Sequence, residues 1–183
     1  MDISQITKSL FVAASPNAGH HHELLHRKVG LVISMIARER PPAVFARPPL
    51  QLLWLPTFDS ILLPIPMSRL ARGVDAALPI IQRGQSVLVY CAQGRHRSIA
   101  MAAAILIAEG RTARESANLL LAKRNLADPH ARHIYARIRA FEVYWRNGKQ
   151  SPHSIQEAYA EFMTSFFSML LSRLLPMARN PHK

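Results

Sequence analysis

Cys91 and Arg97 stand six positions apart in the run Cys91-Ala92-Gln93-Gly94-Arg95-His96-Arg97-Ser98. Cys91 is the chain's one cysteine, so no internal disulfide can form; it is a buried filler, a metal ligand without cysteine company, or a reactive thiol. Its neighbours favour the last. Val87-Leu88-Val89-Tyr90, just before it, is too apolar for a wet edge strand, and the Ala- and Ile-rich stretch from Ser98 to Glu109, closed by Gly110, has the composition of a helix. A strand, a short turn and a helix make an anion site. The amides of Ala92, Gln93, Gly94, Arg95 and His96 would point into one bowl, and the helix N-terminus would add its partial positive charge, so a tetrahedral phosphate fits. The same donors favour thiolate over thiol at Cys91. Arg97 can hold two phosphoryl oxygens with its planar fork, and Gly94 permits a turn that a Cβ would obstruct. Arg95 and His96 add positive character.

The elements that must position this loop are legible in outline. Leu10 to Ala13 and Gly30 to Ile36 are short apolar, β-branched-rich runs with the composition of buried strands, and His20 to Lys28 between them fits a helix. Pro41 to Pro66 holds seven of the thirteen prolines and reads as a long loop region interrupted by a strand at Gln51 to Leu55. Ser68 to Arg83 has the spacing of an amphipathic helix, ended by Gly84. Thr112 and Glu115 form a capping box that opens a helix to about Arg124. Pro129 suits a first helical position, and Ile134, Ile138, Phe141 and Trp145 mark one face of a further helix. Ser151 to His153 reads as a linker, and Ser154 with Glu157 as a second capping box. The expected fold is α/β, a central mixed sheet flanked by helices, with residues 1–150 as one domain and 151–183 as an added C-terminal helical extension.

At 183 residues the chain suits one ordinary domain, and 49% hydrophobic against 19% charged residues excludes disorder. Twenty-three Lys and Arg against eleven Asp and Glu give a net charge of +12, so the partners expected are anions. A nucleic-acid surface is not expected, because Arg111, Arg114, Arg124, Arg132, Arg137 and Arg139 are spread along polar faces without an aromatic stacking pattern. His20-His21-His22 reads as a solvated helix start, and no metal site is expected. The absence of a signal-peptide core or an uninterrupted spanning segment points to a cytoplasmic protein. Ser154 to Leu175 carries a broad apolar face that needs a cover: the domain itself, a second copy in a homo-oligomer, or a membrane surface.

Cys91, Gly94, Arg97 and Ser98, behind Val87 to Tyr90, resemble the Cys-x5-Arg signature of the cysteine-dependent phosphatases, specifically the dual-specificity branch. In that family an aspartate on a separate loop lies about thirty residues before the cysteine, and Asp59 lies 32 residues before Cys91 within Trp54-Leu55-Pro56-Thr57-Phe58-Asp59-Ser60. The resemblance spans about Leu10 to Trp145. It implies a dual-specificity-phosphatase-like fold and hydrolysis of phosphomonoesters through a phosphocysteine, without cofactor or metal. Cys91 would attack phosphorus, Arg97 and the loop amides would hold the equatorial oxygens, Asp59 would act as acid and then base, and Ser98 would assist departure of the thiolate. Phosphotyrosine, phosphoserine and phosphothreonine proteins are the substrates expected. The Gly-basic-His-Arg run also resembles the loop of atypical inositol-pyrophosphate phosphatases, which keeps phosphoinositides and inositol (pyro)phosphates open. An inactive phosphate-binding adaptor is the reading from another class. The family usually has histidine before the cysteine; here it is Tyr90.

Overall fold

A computed structural model describes residues 2–149, so the segment 151–183 and the calls on Ser154 to Leu175 lie outside it. Five strands form one mixed sheet: β1 (Ile3–Gln5), β2 (Leu10–Ala14), β3 (Val29–Ile36), β4 (Gln51–Thr57) and β5 (Ser86–Cys91). Their spatial order is β1-β2-β5-β3-β4, antiparallel only between β1 and β2. Every residue of β3 and of β5 is buried, as expected of parallel strands covered on both faces. Pro56 is tolerated in β4 because that strand is an edge, and the register shifts beside it, between Ser34 and Ile36 of β3.

The helices divide unequally between the two faces. On one side lie α2 (Met67–Gln82), α3 (Arg97–Ala108), α4 (Ala113–Lys123) and α5 (Arg132–Arg146), around a core that includes Val12, Ile33, Val89, Leu70, Ile99, Leu120 and Phe141. α3 is buried from Arg97 to Ile107, and its alanines let the surrounding elements approach closely. The other face is covered by α1 (His21–His26) and a 3-10 turn at Ala43–Ala46, over Phe11, Leu24, Val32, Phe45, Leu88 and Tyr90. Tyr90 is thus a core residue on the face opposite Cys91.

The expected elements are present, with changed limits. α1 is shorter than His20 to Lys28: a 3-10 turn capped by Asn17 precedes it, and Lys28 takes a left-handed φ of 55° that ends it. Pro129 does not open α5. It sits in a turn whose Asp128 N–H donates to the Arg95 carbonyl at 3.1 Å, and the helix starts at Arg132. β1 was not expected from its short polar sequence. The Thr112–Glu115 capping box is formed, with Glu115 N–H donating to Thr112 Oγ1 and Thr112 N–H to Glu115 Oε2. No helix among the described residues is long and apolar enough to cross a membrane.

Candidate active site

The carboxyl ends of the parallel strands meet at one cleft of about 640 Å³. Ser15 follows β2, Ile36 ends β3, Thr57 ends β4 and Ala92 follows β5, and all four line it with Arg38, Phe58, Asp59 and Arg97. β5 lies between β2 and β3, so the chain after β5 opens at the point where strand order reverses. Open α/β sheets place ligands there.

The loop between β5 and α3 is held from outside by its carbonyls. Ala92 O accepts from Ser15 N–H at 3.3 Å, Gln93 O and Gly94 O from the Arg124 guanidinium at 3.2 and 2.7 Å, and Arg95 O from Asp128 N–H at 3.1 Å. With four consecutive carbonyls turned outward, the N–H groups are left to face the bowl, and those of Arg95 and Ser98 point at Cys91 Sγ. Gly94 has φ 64°, and a Cβ there would stand 2.8 Å from the Ala13 carbonyl and collide with Arg124. Glycine is required at this position both by conformation and by space.

Cys91 is 1% exposed, and its Sγ lies 3.2 Å from Ser98 Oγ. Burial alone would push the thiol up. The Ser98 hydroxyl and N–H, the Arg97 charge and the Arg95 N–H outweigh it and hold the thiol below its ordinary value. Removing the hydroxyl should therefore raise it. In Ser98→Ala, alkylation of Cys91 by iodoacetamide is expected to become slower than in the parent below the ordinary cysteine pKa and to converge with it at high pH; unchanged rates across pH would mean that Ser98 does not act on the sulfur.

Arg97 is 9% exposed, and its Nη1 donates to Met35 O at 3.2 Å and Thr57 O at 3.0 Å, at the ends of β3 and β4. Its Nε is buried without a hydrogen-bond partner. One edge of the fork is anchored and the other retains a donor for an anion. Asp59, on the segment after β4, reaches over the loop: its carboxylate oxygens lie 3.2 and 3.3 Å from His96 Nδ1, and Oδ2 is 3.6 Å from Arg97 Nε. Asp59, Arg97 and Ser98 are thus gathered around the loop that runs from Cys91 to His96.

Two contributors escaped the sequence reading. Arg124 is one of the arginines that the sequence pattern spreads along polar faces, yet its side chain is 1% exposed and it ties the loop to Asp2 through Nη2–Oδ2 and Nη1–Oδ1 contacts of 2.7 and 3.0 Å. Its partners lie 30 to 122 residues away, so no local pattern announces it. His133, in the first turn of α5, stands 3.9 Å from Asp59 and likewise has no local signature. Tyr90, immediately before the cysteine, is buried among apolar residues; that burial pushes its phenol up against the opposing Ser34 hydroxyl, and its part is packing. Arg124 supplies the loop's anchorage. Arg124→Met, which keeps bulk but removes the donors, should cost on the order of 2 kcal/mol through the unpaired carbonyls of Gln93 and Gly94. A melting temperature equal to the parent's would show that those carbonyls find other partners.

No protein-family model matches the chain, and no curated protein matches it at a significant level. Solved structures do. Human DUSP28 superposes with a TM-score of 0.71 at 22% identity, over 80% of this chain and 96% of its own. The fold is that of the dual-specificity phosphatases. PTPMT1 in complex with PI(5)P matches this dual-specificity-phosphatase fold with a TM-score of 0.71 at 21% identity, over 82% of this chain and 100% of its own. The human tyrosine phosphatase-like serine/threonine/tyrosine-interacting protein matches it at 0.68 and 18%, over 78% and 97%.

Proposed function

We propose that the chain is a cysteine-dependent phosphomonoester hydrolase acting on phosphotyrosine, phosphoserine or phosphothreonine proteins. The carrying observation is Cys91 Sγ, held 3.2 Å from Ser98 Oγ, with the N–H groups of Arg95 and Ser98 directed at it and its pKa below the ordinary value. A phosphoryl group seated there would place its oxygens on the loop amides and on Arg97 Nε. The thiolate attacks phosphorus in line with the ester oxygen, and the P–O bond breaks as Asp59 donates a proton to the departing alcohol or phenol. Asp59, now ionised, takes a proton from water, which attacks the phosphocysteine. The P–S bond breaks, phosphate leaves, and Ser98 Oγ–H donates to the released thiolate. The loop amides and Arg97 add positioning and charge stabilisation to this covalent and acid–base chemistry. A single reduced cysteine as nucleophile suits the cytoplasm.

Two further readings share this bowl. A phosphoinositide or inositol phosphate substrate is favoured by the apolar residues Phe58, Ile61, Leu62 and Leu63, 54–77% exposed, of which Phe58 and Leu63 line the cleft, and by the likeness to PTPMT1 in complex with PI(5)P. An adaptor without turnover is the other reading, and the likeness to a tyrosine phosphatase-like interacting protein is what favours it; the lowered Cys91 thiol and the presence of Asp59 and Arg97 weigh against it. Hydrolysis of an aryl phosphate by the purified chain separates enzyme from adaptor, and a panel of phosphopeptides, phosphoinositides and inositol phosphates then ranks substrates.

Asp59→Asn tests the acid. It should lose activity heavily on an alkyl phosphate, whose leaving oxygen must be protonated, and little on a nitrophenyl or similarly activated phosphate, whose phenolate departs unaided. Equal losses on both would remove Asp59 from that part.

A further inference from the structure

Asp59, His96 and His133 converge from three elements: the segment after β4, the phosphate loop and the first turn of α5. One oxygen of Asp59 lies 3.2 Å from His96 Nδ1 and 3.9 Å from His133 Nε2, and ligand atoms of all three residues lie within 4.8 Å of one another. The imidazole rings meet edge to face, with centroids 5.4 Å apart. We propose that these three side chains form a binding site for a divalent transition-metal cation, Zn2+ by its donor set, and that occupancy switches the phosphatase off.

Two imidazole nitrogens and one carboxylate oxygen suit zinc, whereas magnesium and calcium prefer oxygen donors alone. Zinc bonds of about 2.0–2.2 Å arranged tetrahedrally put neighbouring ligand atoms roughly 3.3 Å apart, so the present separations close by small side-chain rotations. The surroundings supply a further requirement of such sites. With Nδ1 of His96 on the cation, its Nε2–H faces Asp128 Oδ2, now 3.8 Å away, and a carboxylate there fixes the ring and strengthens it as a ligand. Arg97 and Arg137 border the recess lined by Asp59 and His133, and their charges oppose a cation, which keeps binding reversible rather than structural.

The consequence follows from Asp59's part in turnover, and this half of the proposal rests on the phosphatase reading. A carboxylate bound to Zn2+ can neither give a proton to the leaving oxygen nor take one from water. The binding half stands independently of that reading.

The two halves have separate tests. Binding is measured by titrating Zn2+ into full-length Cys91→Ser, which removes the thiolate as a competing ligand, and into Cys91→Ser/His133→Ala; Co2+ in place of Zn2+ reports tetrahedral ligation by its visible absorption. The first protein is expected to bind at least about tenfold more tightly at one site, and the difference between the two cancels any cation held at His20 to His22. His133→Gln, similar in reach but without the imidazole, replaces the alanine variant should that fail to fold. Equal binding with and without His133 would overturn the site. For the switch, aryl-phosphate hydrolysis by the otherwise unaltered chain should be inhibited by Zn2+ and restored by a chelator, with His133→Ala needing at least about tenfold more Zn2+ for half-inhibition, each protein's rate being taken relative to its own metal-free rate. Equal sensitivity would assign inhibition to Cys91 and overturn the switch. Absence of any metal-free hydrolysis would overturn the phosphatase reading and the switch with it, while the titration still decides the site.

Discussion

Cys91→Ser is expected to abolish turnover, by on the order of 10⁴-fold or more, while leaving the fold and its anion bowl in place. The donors that hold the Cys91 thiol below its ordinary pKa act on a group that is already far more acidic than an alcohol. A serine hydroxyl starts so much higher that the same donors leave it protonated, and the groups around this position, the Ser98 hydroxyl, the Arg95 and Ser98 N–H groups and the Arg97 charge, are donors and a cation rather than bases. The substitution exchanges sulfur for oxygen at a site 1% exposed, where Ser98 Oγ remains as a hydrogen-bond partner. Inorganic phosphate or tungstate should still bind through the loop amides and Arg97, and removing the thiolate's charge should make that binding no weaker. The measurement is kcat/KM on an aryl phosphate together with oxyanion affinity. Turnover near that of the parent would sink the phosphocysteine mechanism, and loss of turnover together with oxyanion binding would mean only that the bowl had collapsed.

The parts of this protein that were legible in the sequence are those whose causes are local. Val87 to Tyr90 and the Cys91 to Ser98 loop announce themselves, because a buried strand needs a continuous apolar run and a phosphate bowl needs its glycine and arginine at fixed offsets. Thr112 and Glu115 are similar: both halves of the capping box lie within four residues. What was missed depends on contacts between distant segments. Ile3 to Gln5 carries no strand signal of its own, and pairs because β2 presents an open edge. The Pro129 preference for a helix start was overruled by Asp128, whose N–H is committed to the Arg95 carbonyl. Arg124 reads as surface charge until the fold brings Asp2 and two loop carbonyls to it.

Asp59 stands between these cases. Its spacing from Cys91 is a family resemblance, yet the two histidines beside it come from the loop and from α5, and only the tertiary structure gathers them. The candidate site therefore divides by range. The floor of the bowl is written in eight consecutive residues, whereas its support from Arg124 and the surroundings of Asp59 are properties of the packed chain.

Arg97→Lys is expected to lower kcat/KM by on the order of 10³-fold with little change in stability. Arg97 meets two demands at once. Nη1 is anchored on the carbonyls of Met35 and Thr57, which fixes the plane of the guanidinium against the ends of β3 and β4, and buried Nε is left for an anion. A lysine has one ammonium centre. If it donates to the two carbonyls it is withdrawn from the phosphoryl oxygens, and if it turns to the phosphoryl group it leaves both carbonyls unpaired; neither arrangement reproduces a planar pair of donors at the transferring group. Because the positive charge is retained, a loss of this size would come from geometry rather than from weakened attraction of the substrate. It should fall mainly on kcat, where the equatorial oxygens of the transition state need the fork, and less on KM. Comparison with Arg97→Ala, which loses the charge as well and should add a rise in KM, separates the two contributions. A loss below about tenfold in Arg97→Lys would show that Arg97 serves to tie the strand ends together and that the loop amides bind phosphate without it.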